Sequence, residues 1–190
     1  MIRIGILGDI GSGKTYIAKS FGYPVFNADY EVGKLYKKNR KAFIKLKKIL
    51  PEYIHIFPIR KGELSKAILA DKKNLSKITR IVHLEVRKKL TNFLRRNKNK
   101  RVVVLDIPLL LENKINKKED ILIFVQSKKS DVIKRLKKRT NFNNNLIKKF
   151  KNIQLPLDYK KRKSNFIIKN DFKKNSVKVN VNKILTKILN

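Results

Sequence analysis

The sequence predicts an α/β fold: a parallel five-stranded sheet flanked by helices, with a helical insertion and a lid. Three observations lead there. Short apolar runs recur at Arg3–Leu7, Pro24–Asn27, Arg101–Ile107, Ile121–Gln126 and Phe166–Lys169. Helical patterns separate most of them, and strands buried on both faces that alternate with helices belong to parallel sheets. The first run also leads through a glycine loop directly into a helix-compatible segment.

The elements follow in chain order. Arg3-Ile4-Gly5-Ile6-Leu7 is short, apolar and bounded by glycine, so it reads as a buried strand. Gly8-Asp9-Ile10-Gly11-Ser12-Gly13-Lys14-Thr15 is a complete G-x-x-x-x-G-K-T phosphate-binding loop, and Lys14 to Phe21 continues it as a helix. This order assigns the fold to the P-loop nucleoside-triphosphate hydrolase type. After the second strand, residues 30–100 carry no strand signal. Leu46, Ile49 and Leu50 recur at helical spacing, as do Ile78, Val82, Leu84–Val86 and Leu90, whereas Tyr53–Arg60 reads as a loop. The expected division is residues 1–35 and 101–190 as the P-loop core, and 36–100 as a helical substrate-binding insertion. Asp131 to Arg139 reads as a helix with Ser130 as its N-cap. Thr140-Asn141-Phe142-Asn143-Asn144-Asn145 breaks it, a second helix starts near Leu146, and Leu155-Pro156-Leu157-Asp158 begins a third. Residues 139–155 are therefore expected to form a mobile lid. Apolar residues at helical intervals from Val177 to Leu189 predict a last helix packed on the sheet.

Composition sets the limits. A chain of 190 residues with 42% hydrophobic content suits one compact domain with a small insertion. No apolar run approaches the roughly 18 residues of a membrane span, and the absence of a signal-peptide pattern makes a cytoplasmic protein the expectation. Cysteine is absent, which excludes disulfides and thiolate metal sites, and with two histidines there is no zinc pattern. The formal net charge is +35. Its lysines and arginines are spread through every segment without an aromatic-interleaved patch. The joint enrichment in Lys, Asn and Ile points to compositional bias, so no specific nucleic-acid partner is expected, although such charge attracts polyanions.

The chemistry centres on the glycine loop. Gly11, Ser12 and Gly13 let successive backbone amides face one anion, and the helix start adds its positive end. Lys14 can reach the β- and γ-phosphates, and the Thr15 hydroxyl suits Mg²⁺. Asp29 follows the second strand. It either accepts the proton of an attacking hydroxyl or caps the helix starting at Tyr30. Asp106 ends Val102-Val103-Val104-Leu105-Asp106, either as a Mg²⁺-holding acid or as an ordinary polar strand end, and Pro108 fixes a turn at the cleft mouth. Arg135 and Arg139 share one face of the expected helix and either clamp a triphosphate or stand in solvent. His83 and Arg87 repeat that spacing in the insertion, where the imidazole binds substrate or sits at a polar edge.

Together these segments resemble the dephospho-coenzyme A kinase family over nearly the whole chain. The resemblance rests on Ile4 to Thr15, Pro24-Val25-Phe26-Asn27-Ala28-Asp29, His83-Leu84-Glu85-Val86-Arg87, Leu105-Asp106-Ile107-Pro108-Leu109-Leu110-Leu111-Glu112, Gln154 to Arg162, and Phe166-Ile167-Ile168-Lys169-Asn170. It implies ATP-dependent phosphorylation of the ribose 3′-hydroxyl of dephospho-coenzyme A, with Mg²⁺. By motif match Asp29 is the catalytic base, Lys14 and Thr15 hold phosphate and metal, Arg139 falls in the lid, and Asn170 precedes the adenine-side loop. Tyr16 joins the nucleotide-binding set, and His83, Arg87, Asp106 and Pro108 join the substrate-binding set. A monomer or weak oligomer is expected. The chain departs from the family where Asp9 replaces a second glycine, Asn27 an aspartate, Leu84 a proline, Tyr16 a small hydroxyl residue, and Lys169 an acid. A nucleoside or nucleotide kinase, and a nucleic-acid-binding ATPase, are the alternative readings.

Overall fold

A computed structural model describes residues 1–139 and 142–190. The expected break begins at Thr140 and Asn141, which lie outside the described residues. The elements are β1 (Ile2–Gly8), α1 (Lys14–Ser20), β2 (Val25–Asn27), α2 (Ala28–Lys38), α3 (Arg40–Ile49), α4 (Lys61–Ala70), α5 (Lys72–Arg96), β3 (Val102–Asp106), β4 (Ile121–Gln126), α6 (Lys129–Lys137), α7 (Asn144–Asn152), α8 (Leu157–Arg162), β5 (Phe166–Lys169) and α9 (Lys174–Leu189). The packing resolves into two compact units. One comprises Met1–Asn27, Arg96–Phe142 and Lys151–Asn190, and the other Ala28–Arg95 and Asn143–Phe150.

The first unit holds the sheet, in the order β2-β3-β1-β4-β5. Every strand pair is parallel. The five expected strands are all present, within a residue or two at their ends. Their Val- and Ile-rich sequences suit a pleated surface covered on both sides. Ile4, Ile6, Val102, Val104, Ile123, Val125 and Ile168 pack with Ile17 and Ala18 of α1 and with its C-cap residue Phe21. Val177, Val181 and Ile184 complete this core at intervals of four and three residues, one stripe of α9. The last helix thus packs on the sheet as the sequence predicts. Each such fully buried side chain contributes about 1.5–3 kcal/mol against exposure.

One buried ion pair ties β1 to the entry of β4. Arg3 Nη2 lies 3.0 Å from Asp120 Oδ2 and also donates to the Ile115 carbonyl at 3.2 Å. Burial raises the Asp120 carboxyl above its ordinary value, against the lowering pull of the Lys117 amide and the Arg3 guanidinium.

The second unit is helical, with no strand between residues 30 and 100. Leu75, Ile78, Val82, Val86 and Leu90 form the buried stripe of α5. Buried Asn74 donates from Nδ2 to the Ala67 carbonyl at 3.0 Å, and Lys149 Nζ donates to the Ile68 and Leu69 carbonyls at 2.7 and 3.0 Å. Lys149 thus satisfies carbonyls in the last turn of α4, while the Ala67 carbonyl also accepts from the Asp71 amide at 3.3 Å. Residues 53–60 form the expected irregular connection, with a cis Phe57–Pro58 bond.

Two expectations around α6 need correction. The helix starts at Lys129, after Lys128, so Ser130 lies within the first turn and does not cap it. It ends at Lys137, so Arg139 falls beyond the C-cap and does not share a helical face with Arg135. Five of the nine residues in this helix are charged or hydroxylic and face solvent. The buried pair Val132 and Leu136 sets its packing and leaves the ends weakly determined by sequence.

Candidate active site

The glycine loop forms where β1 must turn into α1. Gly13 is the N-cap of α1 at φ 92°, ψ 17°. A Cβ there would sit 2.5 Å from Asn170 Nδ2, so both conformation and space demand glycine. Gly11 has φ 85°, and a Cβ on it would press within 2.9 Å of Leu136 on α6. The loop is fixed from outside at the Ser12 carbonyl. Asn170, just after β5, donates to it from Nδ2 at 2.8 Å, and Ser127 donates from Oγ at 3.0 Å. The Ser12 side chain is buried as well, and its Oγ has no hydrogen-bond partner among the described residues. A buried hydroxyl of this kind suits a ligand oxygen.

Lys14 folds back across the loop, and its Nζ donates to the carbonyls of Asp9 at 2.7 Å and Gly8 at 3.1 Å. Its ammonium thus stands over the turn whose amides would cradle phosphate. Thr15 Oγ1 donates to Asp106 Oδ2 at 2.6 Å. Asn27 Nδ2 donates to the same oxygen. The register explains this meeting, since β2 and β3 pair with Asn27 opposite Asp106. Asp106 is only 3% exposed, and one of its oxygens accepts both bonds. Pro108 follows at the start of a run of turns.

Beyond the loop, Asn170 Oδ1 accepts from the Phe172 amide at 3.0 Å. Phe172 has φ 63°, a left-handed conformation uncommon outside glycine. The Arg135 guanidinium lies 4.4 Å from the centroid of its ring, a cation–π contact. Arg135, although exposed, is thereby engaged, and Arg139 is exposed as well. Tyr16 is 45% exposed on α1.

In the helical unit, Asp29 is the second residue of α2 and exposed, so the capping alternative does not hold. It sits in the first turn, where the helix end favours a negative charge. His83 and Arg87 stand one turn apart on α5. Burial, and then the Arg87 charge, hold the imidazole below its ordinary value.

Three features escape sequence reasoning. Lys160 is 1% exposed and lies 2.6 Å from Glu112 Oε1, which also accepts from the Leu155 amide at 2.9 Å. This pair joins the turn after β3 to the start of α8. The signal for it was a glutamate closing an apolar run and a lysine in a helix, neither of which names a partner. The second feature is Asn27 on Asp106, and the third is Lys151 on Asp9, with Nζ to Oδ2 at 3.3 Å.

A central strand feeding a glycine nest, a helix start bearing Lys14 and Thr15, and an acid from the adjacent strand beside that threonine define a P-loop nucleotide-binding protein. Comparison with known proteins narrows the class. The dephospho-CoA kinase family model matches residues 2–176. A dephospho-CoA kinase of Wolbachia sp. subsp. Brugia malayi is 35% identical over 170 residues, covering 87% of each chain. The crystal structure of TT1252 from Thermus thermophilus superposes with TM-score 0.80 at 24% identity, over 100% of this chain and 98% of that one. A dephospho-CoA kinase from Campylobacter jejuni superposes with TM-score 0.64 at 21% identity, over 98% and 96%. The chain belongs to the dephospho-CoA kinase family.

Proposed function

We propose that this protein transfers the γ-phosphoryl group of ATP to the ribose 3′-hydroxyl of dephospho-coenzyme A, giving coenzyme A and ADP. The observation that carries this reading is the family match over residues 2–176 on a chain whose phosphate loop is fully formed. Phosphoryl transfer asks little covalent work of a protein. It needs the acceptor in line with the γ-phosphate, and positive charge around the transferring group.

Each residue has a task in that scheme. The amides around Gly11, Ser12 and Gly13 bind phosphate oxygens, and Lys14 leaves the Gly8 and Asp9 carbonyls for the β- and γ-phosphates. Asp29 takes the proton of the 3′-hydroxyl as the new P–O bond forms. His83 and Arg87 bind the acceptor, Pro108 shapes the turn beside Asp106, and Asn170 holds the loop on the adenine side, with Tyr16 beside the nucleotide. Arg139 belongs to the lid and supplies charge when residues 139–155 close and exclude water. The oxygen donors Thr15 Oγ1 and Asp106 Oδ2, 2.6 Å apart, fit Mg²⁺ rather than a softer ion and would hold it directly or through water. Bound there, Mg²⁺ would offset charge on the phosphates.

Among the described residues no helix is long and apolar enough to cross a membrane, and we place the protein in the cytoplasm as a monomer or weak oligomer. The test is a coupled assay with ATP, Mg²⁺ and dephospho-coenzyme A, with mass spectrometry of the product. A mass gain of one phosphate on the acceptor is expected. Turnover only with nucleosides or nucleotides, or only with RNA, would overturn the reading.

A further inference from the structure

Asp9 stands where the family's loop usually has glycine, and both its side chain and its carbonyl are engaged. Its Oδ1 accepts from the Ile10 amide at 2.7 Å, and its Oδ2 from Lys151 Nζ at 3.3 Å. Its carbonyl accepts from Lys14 Nζ at 2.7 Å and from the Ser12 amide at 3.2 Å. Two cations therefore rest on one residue of the phosphate loop. Lys151 comes from α7, within the expected lid, and its side chain is 45% exposed against 23% for Asp9. An exposed pair of this kind is weak and readily exchanged for a stronger anion. A triphosphate in the nest is such an anion. Bound in the loop that Asp9 belongs to, it would be repelled by the Asp9 carboxylate and would attract the lysine that carboxylate holds.

We propose that Asp9 and Lys151 form a latch that the nucleotide opens. Lys151 rests on the Asp9 carboxylate before ATP arrives and moves to the phosphates when it binds. Asp9 thus lowers nucleotide affinity, and more strongly with Lys151 present, because the pair must then break. The inference rests on the nucleotide-binding reading above.

The test is titration of the full chain with ATP, without acceptor, in the wild type, Asp9→Asn, Lys151→Gln and the double variant, each shown folded by thermal unfolding. Asp9→Asn keeps an oxygen for the Ile10 amide, and Lys151→Gln alters an exposed side chain. Asp9→Asn should tighten ATP binding, and the tightening should be about two- to fivefold larger with Lys151 present than in the Lys151→Gln background, the range of an exposed pair. Equal tightening in both backgrounds, or none, overturns the latch. Lys151→Gln alone should weaken ATP more than AMP, because AMP lacks the outer phosphates. Equal weakening of the two also overturns it, and this arm needs no change at Asp9. If the folded wild type fails to bind ATP, the nucleotide-binding reading itself falls.

Discussion

Replacing Lys160 with methionine should destabilise the fold severely, and the size follows from the burial of its partner. Lys160 and Glu112 side chains are 1% and 9% exposed, and Nζ stands 2.6 Å from Oε1. Methionine fills much of the lysine volume, so the loss is chiefly electrostatic. Glu112 would keep the Leu155 amide on Oε1, while its Oε2 is already buried with no hydrogen-bond partner among the described residues. Removing one member of such a pair costs about 3–5 kcal/mol, because the remaining charge is left in low dielectric. For a chain of this size 1 kcal/mol moves Tm by about 2–4 °C, so a fall of about 6–20 °C is expected. Glu112→Gln/Lys160→Met should recover a large part of that loss, since it removes both charges and keeps an acceptor for Leu155. The assay is thermal and urea unfolding of the wild type, both single variants and the double. A Lys160→Met midpoint within about 2 °C of wild type, or a double variant no better than that single, would refute the reasoning.

Further expectations concern the site. Asp29→Asn should lower kcat by about 100-fold or more, the usual range for a lost general base, with KM for ATP little changed; steady-state kinetics decide, and an unchanged kcat removes Asp29 from that role. Gly13→Ala must adopt φ 92° and meet Asn170 Nδ2, so it should weaken ATP binding and lower Tm, read by titration and thermal unfolding. Asn27→Asp sets a second carboxylate beside buried Asp106. The amide donor is lost and two acids meet in a buried setting, so Tm should fall in thermal unfolding, and an unchanged Tm counts against the Asn27–Asp106 bond. His83 is held below its ordinary value of 6.5, so the unfolded chain takes up a proton before the folded one. Its contribution to stability is present above about pH 6.5 and is lost as pH falls below it. His83→Asn should flatten the acid side of the stability–pH curve measured by urea unfolding.

The parts legible in the sequence are those fixed by local pattern. Val102–Leu105 reads as a strand because four consecutive apolar residues fit a sheet covered on both faces, and the glycine loop because its spacing has one known geometry. Leu75 to Leu90 reads as a helix because its stripe repeats every three or four residues. Partners distant in sequence are not legible. Lys151 and Asp9 are separated by 142 positions and Asn27 and Asp106 by 79, and neither pair carries a local signal. Asn27 shows the difference well. Its identity was plain, but its bond to Asp106 follows from the β2–β3 register. Arg139 shows the converse: the helical pattern in the sequence runs on through it, whereas α6 ends at Lys137.

The place of β1 at the middle of the sheet bears on how the chain is made. Its neighbours β3 and β4 leave the ribosome long after it does, and Thr15 waits through 91 positions before Asp106 is synthesised. Until then Ile4, Ile6 and Leu7 are a sticky nascent segment without pairing strands. Chaperone capture should therefore peak on nascent chains stalled before Val102 and drop once β4 has emerged.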